Sequence, residues 1–260
     1  MKSGYGVFGK AYETMLRNDP HAKGSIDRLL MRQMRLVDKA SYSALYKKTP
    51  SVPPQIRRHE CFLFAQQFCR EGERETIRET VNFTKQMADS VNTPMNRMLF
   101  GGTEREMIQR KTDWCTDISR VGATLLQCVG IPARMVYLAN RKKAYHGHAV
   151  TEAYYCGKYG VIDFLHGFCF YEDEPLDVFT LLHAPELVQK TVGAENEDYC
   201  RLYDAAAVSE YDPTNPKNRY PVSGCNQYYL AISNQNHADG QWLMGEDSSR
   251  SAPFCSEEDI

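Results

Sequence analysis

Between Trp114 and Arg134 the chain passes from a thiol through an amphipathic run to a helix stop and then straight into a strand, and this segment constrains the fold more than any other. Ile118, Val121, Leu125 and Leu126 recur at helical spacing, Gly130 can end the helix with a positive φ, and Pro132 cannot continue it. Residues 134–139 (Arg-Met-Val-Tyr-Leu-Ala) are rich in branched and aromatic side chains and read as a strand. A helix so closely joined to a strand buries its apolar stripe on the sheet that the strand enters. Thr112 or Asp113 is placed to cap this helix, which puts Cys115 in its first turn. Unpaired backbone N–H groups and the helix dipole favour a thiolate there.

Two further strands are expected at 149–155 and 159–164, joined by a turn at Gly157-Lys158. Antiparallel pairing across so short a turn makes His148, at the start of one, a close neighbour of Asp163, near the end of the other. A thiol at a helix start, an imidazole and a carboxylate in this order supply a nucleophile, its base and a group that orients the base.

In Cys115-Thr-Asp117 with Gly130-Ile-Pro-Ala-Arg134 downstream, His148-Ala-Val-Thr-Glu152-Ala-Tyr154 and Gly160-Val-Ile-Asp163, the chain resembles the transglutaminase-like superfamily of papain-like cysteine enzymes. The likeness covers roughly residues 76 to 185, and the ordered set is far more specific than any one motif. It implies a triad of Cys115, His148 and Asp163. It also implies an α+β fold with a papain/transglutaminase-like core, the nucleophile helix packed on an antiparallel β-sheet, here preceded by a helical N-terminal region. Val150 stands where the family often has Trp, and Phe164 where Pro often follows the Asp; neither change removes a proton-transfer group.

Other residues compete for places in this site. The backbone N–H of Cys115 is the first choice of oxyanion donor, with Trp114, Asn92 and Asn96 as side-chain candidates. His146 rivals His148, although the His-Ala-x-x-Glu match falls on His148, and His146 otherwise serves as a wet-edge residue or a substrate contact. Asp212-Pro213-Thr214-Asn215 rivals Asp163, but Asp-Pro initiates turns and the hairpin reaches His148 more directly. Glu152 is expected in a strand-edge salt bridge.

These parts form a thioester from a peptide or amide, and the acceptor decides the reaction. Water gives a peptidase or amidase, a Lys amine gives protein-glutamine cross-linking, and a small-molecule acceptor gives an acyl transferase. Hydrolysis is favoured because keeping water off a thioester needs dedicated walls. A different class of reading is a non-catalytic binding or scaffold module that retains the fold. No cofactor or metal is expected, and Glu172-Asp173-Glu174 offers too few ordered oxygens for calcium.

A peptide or protein substrate is the expected partner. The net charge of -2 gives no electrostatic reason to expect nucleic acid or an anionic membrane surface. The nine cysteines form no CxxC pair or regular framework, so most are expected as free thiols and the setting as cytoplasmic. The N-terminus lacks an apolar signal-like run, and no apolar stretch is long enough to span a bilayer. Three regions are expected: helices in 1–75 (25–48 and 55–69), the core in 76–190, and a C-terminal extension in 191–260. The core has a helix entering at 73–90, a loop at 93–103 and a helix at 175–188. The extension has a strand at 220–233 and a polar, poorly ordered tail from 234.

Overall fold

A computed structural model describes residues 34–92, 99, 101–139 and 147–215. The chain opens with strand β1 (Arg35–Leu36) and helix α1 (Tyr42–Tyr46), then helix α2 (Phe62–Ala65) between 3-10 turns at Ile56–Arg58 and Gln66–Phe68. Helices α3 (Glu73–Asp89), α4 (Glu104–Arg110) and α5 (Cys115–Cys128) follow. Strands β2 (Ala133–Ala139), β3 (Gly147–Tyr155), β4 (Lys158–Asp163) and β5 (Phe168–Cys169) come next. Helices α6 (Val178–His183), α7 (Pro185–Val192) and α8 (Glu197–Cys200) precede strand β6 (Ala205–Ser209).

The strands form one sheet in the order β1-β6-β2-β3-β4-β5, and every pairing between neighbours is antiparallel. Alternation along each strand splits the apolar residues between two faces. Met135, Ala149, Ala153 and Ile162 pack with Ile118, Val121, Leu125 and Leu126 of α5. Val136, Leu138, Val150, Val161 and Val208 pack with Val178, Leu181, Val188 and Val192 of α6 and α7. The result is a mixed helix and antiparallel-sheet domain with helices on both faces, which accords with the expected α+β class. The sheet draws β1 from before residue 76 and β6 from after residue 190.

Several local expectations are corrected. The described part of 25–48 is not one helix: Arg35 and Leu36 pair with Val208 and Ala207. A turn then intervenes, in which the Ser41 N–H donates to Asp38 Oδ1 at 2.6 Å and the Asp38 N–H to Ser41 Oγ at 2.9 Å. The 55–69 segment is broken into short turns around buried His59, whose Nδ1 accepts from the Cys61 N–H at 3.2 Å and whose Nε2 lies 3.4 Å from Glu104 Oε2. The hairpin turn sits on Cys156 and Gly157, one residue earlier than read, with φ of 51° and 80° as a type I′ turn requires. The 175–188 helix divides at Pro185, which starts a new helix after Ala184. Helix α4 was not anticipated, although its Thr103-x-x-Glu106 capping box is visible in the sequence. Glu152 makes the expected salt bridge, with Arg134 Nε donating to it at 2.8 Å, but it sits fully buried and not at a strand edge, because β2 and β4 flank its strand. The strand expected at 220–233 and the tail from 234 lie outside the described residues.

Candidate active site

Helix α5 begins at Cys115, with Trp114 and not Thr112 or Asp113 as its N-cap. Trp114 makes no side-chain cap bond, and the Thr112 hydroxyl instead accepts from the Trp114 N–H at 3.2 Å. The N-cap side chain therefore does not compete with an anion for the helix start. Two hydrogen bonds pin this helix to β3: the Ser119 hydroxyl donates to the Ala149 carbonyl at 2.8 Å, and the Thr151 hydroxyl to the Ser119 carbonyl at 3.2 Å. Buried Asp117, in the first turn, accepts from the Gly101 N–H at 2.9 Å and from Arg110 Nη2 at 3.1 Å, so it ties the preceding loop to the helix. Gly122 allows a close approach to the ring of Phe164, from which a Cβ there would stand 2.2 Å.

His148 stands at the start of β3 and Asp163 ends β4, on the same side of the sheet as Val150 and Val161. His148 Nε2 lies 2.8 Å from Asp163 Oδ2. An ionised carboxylate only accepts, so Nε2 carries the proton and Nδ1 is the nitrogen left for the thiol. The partly buried Cys115 thiol stands close enough to His148, the Ala149 backbone and Thr116 for each to favour its thiolate. The structure thus brings together the three residues singled out from the sequence, with His148 between the Cys115 thiol and the Asp163 carboxylate.

The charges follow from this geometry. Burial alone would push the Cys115 thiol up, but the bond and charge of His148, with the Ala149 and Thr116 contacts, hold it below its ordinary value. Burial likewise opposes a charge on His148, yet Asp163 and Cys115 hold its imidazole well above the usual range. Asp163 resists burial through His148 and His166 and stays far below the carboxylate range. Elsewhere burial dominates, and it pushes Cys61 and Cys128 up to about 12 and Cys169 up to about 11. The arrangement can keep a thiolate beside an imidazolium that a carboxylate orients.

The rival residues fall elsewhere. Asp212 caps its own turn, accepting from the Thr214 N–H at 2.8 Å, and lines a cavity with Gln127 near the opposite end of α5 from Cys115. Asn92 is exposed beyond the end of α3, and Trp114 is partly buried beside the thiol; Asn96 and His146 lie outside the described residues.

Two neighbours of Asp163 escaped the sequence reading. His166 Nδ1 lies 2.9 Å from Asp163 Oδ2, and the Tyr199 hydroxyl donates to the same oxygen at 2.6 Å. The Asp-x-x-His spacing of 163 and 166 is the signal that could have revealed His166; Tyr199 arrives from a distant helix and leaves none. His148, Asp163 and His166 present ligand-type atoms within 4.8 Å of one another. Both imidazoles, however, spend their facing nitrogens as donors to one oxygen, which is a hydrogen-bond hub and not a cation cradle.

Residues 65–164 match the family model described as the transglutaminase-like superfamily core. No curated protein and no solved structure matches the chain.

Proposed function

We propose that the chain, whose residues 65–164 match the model of a superfamily that generally includes cysteine-dependent acyltransferases and peptidases, is a cysteine acyl-transfer enzyme of papain-like arrangement. Cys115 is the nucleophile, His148 the general base and acid, and Asp163 the residue that orients it. The observation that carries this reading is that the Cys115 thiol, at the start of α5, interacts with His148, whose Nε2 lies 2.8 Å from Asp163 Oδ2.

The steps follow from the atoms in place. The Cys115 thiolate attacks an amide carbonyl carbon, a C–S bond forms, and the oxygen takes the negative charge. The backbone N–H of Cys115 is the oxyanion donor we assign. Collapse breaks the C–N bond as the Nδ1 proton of His148 passes to the departing amine, and a thioester remains. A water molecule then gives a proton to His148 and its oxygen to the acyl carbon; the C–S bond breaks and the thiolate returns. Hydrolysis is the favoured outcome because Cys115 is only partly buried, so water can reach its thioester.

Intact-mass analysis after incubation with a library of amide and peptide substrates tests the reading. An acyl adduct on Cys115 is expected, absent in Cys115→Ala and released as free acid in water. Release onto an added amine in preference to water would replace hydrolysis by transamidation. No adduct, together with iodoacetamide labelling of Cys115 no faster than that of Cys69 or Cys156, would defeat the enzyme reading.

A further inference from the structure

Asp163 is the most heavily bonded carboxylate of the site. Its Oδ1 accepts from the N–H groups of Leu165 and His166, each at 3.0 Å. Its Oδ2 accepts from His148 Nε2 at 2.8 Å, His166 Nδ1 at 2.9 Å and the Tyr199 hydroxyl at 2.6 Å. The rings around it interlock: His148 and His166 have centroids 5.1 Å apart, His148 and Tyr199 5.9 Å, and His166 and Tyr199 5.4 Å. Phe168 stacks on His166 with its plane tilted by 13°. Nothing in the chemistry of a nucleophile, base and orienter requires a second imidazole and a phenol on the orienter's oxygen.

We propose that His166 is a positioning residue which, with Tyr199, divides the charge of Asp163 Oδ2 among three donors and so limits how firmly that carboxylate holds the proton of His148. The proposal rests on the acyl-transfer reading and adds to it the device that sets the basicity of its acid and base. A lone carboxylate facing a buried imidazolium traps the proton, because the ion pair is strong where water is excluded. A general acid that cannot release its proton is slow. Each further donor on the same oxygen withdraws part of the field that His148 feels. A protonated His166 would add like-charge repulsion in the same direction, so removing His166 shifts His148 one way only, toward stronger proton retention.

The groups that face His148 and Asp163 among the described residues are Cys115 on α5, Cys169 on β5, Tyr199 on α8 and Tyr203 just after it, together with His166. The two tyrosines are held neutral by burial and Cys169 is pushed up to about 11, so His166 is the neighbour whose removal most directly changes the sharing at Oδ2.

The test reads the titration of His148 itself, through its Cε1–H signal in protein labelled at histidine, identified by its loss in His148→Gln. His166→Ala should move the His148 midpoint upward by about half a pH unit or more. His166→Asn, which returns an N–H donor near the position of Nδ1, should bring it most of the way back. A midpoint that stays in place or moves down in His166→Ala, the result of mere loosening of the Asp163 loop, overturns the proposal. Tyr199→Phe keeps the ring packing, and it should also move the midpoint upward; no movement would remove Tyr199 from the scheme. Cys115→Ala serves as the control on the underlying reading. It should lower the same midpoint, and a midpoint indifferent to Cys115 would defeat the thiolate–imidazolium pair without bearing on His166.

Discussion

The Ser119 hydroxyl donates a 2.8 Å hydrogen bond to the carbonyl of Ala149, and this contact helps couple the helix that bears Cys115 to the strand that bears His148. Ser119 is one helical turn beyond Cys115 and Ala149 is adjacent to His148, so the bond fixes the distance between the proposed nucleophile and its base from behind. Ser119→Ala removes one buried hydrogen bond, worth about 1 kcal/mol in a typical case and up to about 3 where the partner is left unsatisfied. The activity loss should be larger than that stability loss implies, on the order of tenfold to a hundredfold in kcat, because small misplacements of reacting groups are costly. Denaturant unfolding measured beside turnover checks this. Equal losses in both, or a loss in KM alone, would mean that Ser119 only stabilises the fold.

A second prediction concerns the buried cluster behind the site. Glu104 is fully buried, and its Oε1 accepts from Arg120 Nη2 at 2.8 Å and from the Tyr211 hydroxyl, while His59 Nε2 lies 3.4 Å from Oε2. Burial opposes its charge, but Arg120, His59 and Tyr211 prevail and bring its carboxyl down from 4.5 to about 2. A carboxyl lowered on folding stabilises the native state above its unfolded value, and that stability is lost as pH falls through the folded value. The window here runs from about 4.5 down to about 2. Glu104→Gln should cost about 3–5 kcal/mol at neutral pH, since it leaves Arg120 buried without its counter-charge. The gap between wild type and variant should narrow as the pH is lowered through that window. Unfolding free energies by denaturant at neutral pH and at about pH 3 check the sign; a gap that widens toward acid contradicts it.

What the sequence made legible, and what it hid, follows from range. The β2, β3 and β4 strands were readable because alternation and a glycine turn are local signals, and β3 and β4 carry His148 and Asp163 while the preceding helix carries Cys115. The helix start at Cys115 was right to within its cap, where Trp114 took the place expected of Thr112 or Asp113. Two-residue strands such as Arg35–Leu36 carry no period, and only their pairing with β6 defines them. The helix expected at 55–69 is divided into short turns, with buried His59 facing Glu104 between them. Tyr199 reaches Asp163 across 36 residues of chain through the packing of α8, so no local pattern announces it.

The third prediction uses the tightest backbone approach in the core. Gly122, midway along α5, faces the ring of fully buried Phe164, and a methyl group there would stand 2.2 Å from two ring carbons. Gly122→Ala would gain helix propensity, by about 1 kcal/mol relative to glycine. Overpacking of a rigid aromatic costs about 1–3 kcal/mol or more and outweighs that gain. Relief requires α5 to lift from the sheet or Phe164 to swing away, and Phe164 follows Asp163 directly in the chain. Either movement alters the bond between Asp163 and His148. Net destabilisation of about 1–2 kcal/mol is therefore expected, together with a fall in turnover and a downward shift of the His148 midpoint as its carboxylate partner moves off. Gly122→Ala combined with Phe164→Leu frees the space and should recover much of both losses, a coupling that a double-mutant cycle reads directly. Additive effects of the two substitutions would show that the contact does not transmit strain to Asp163.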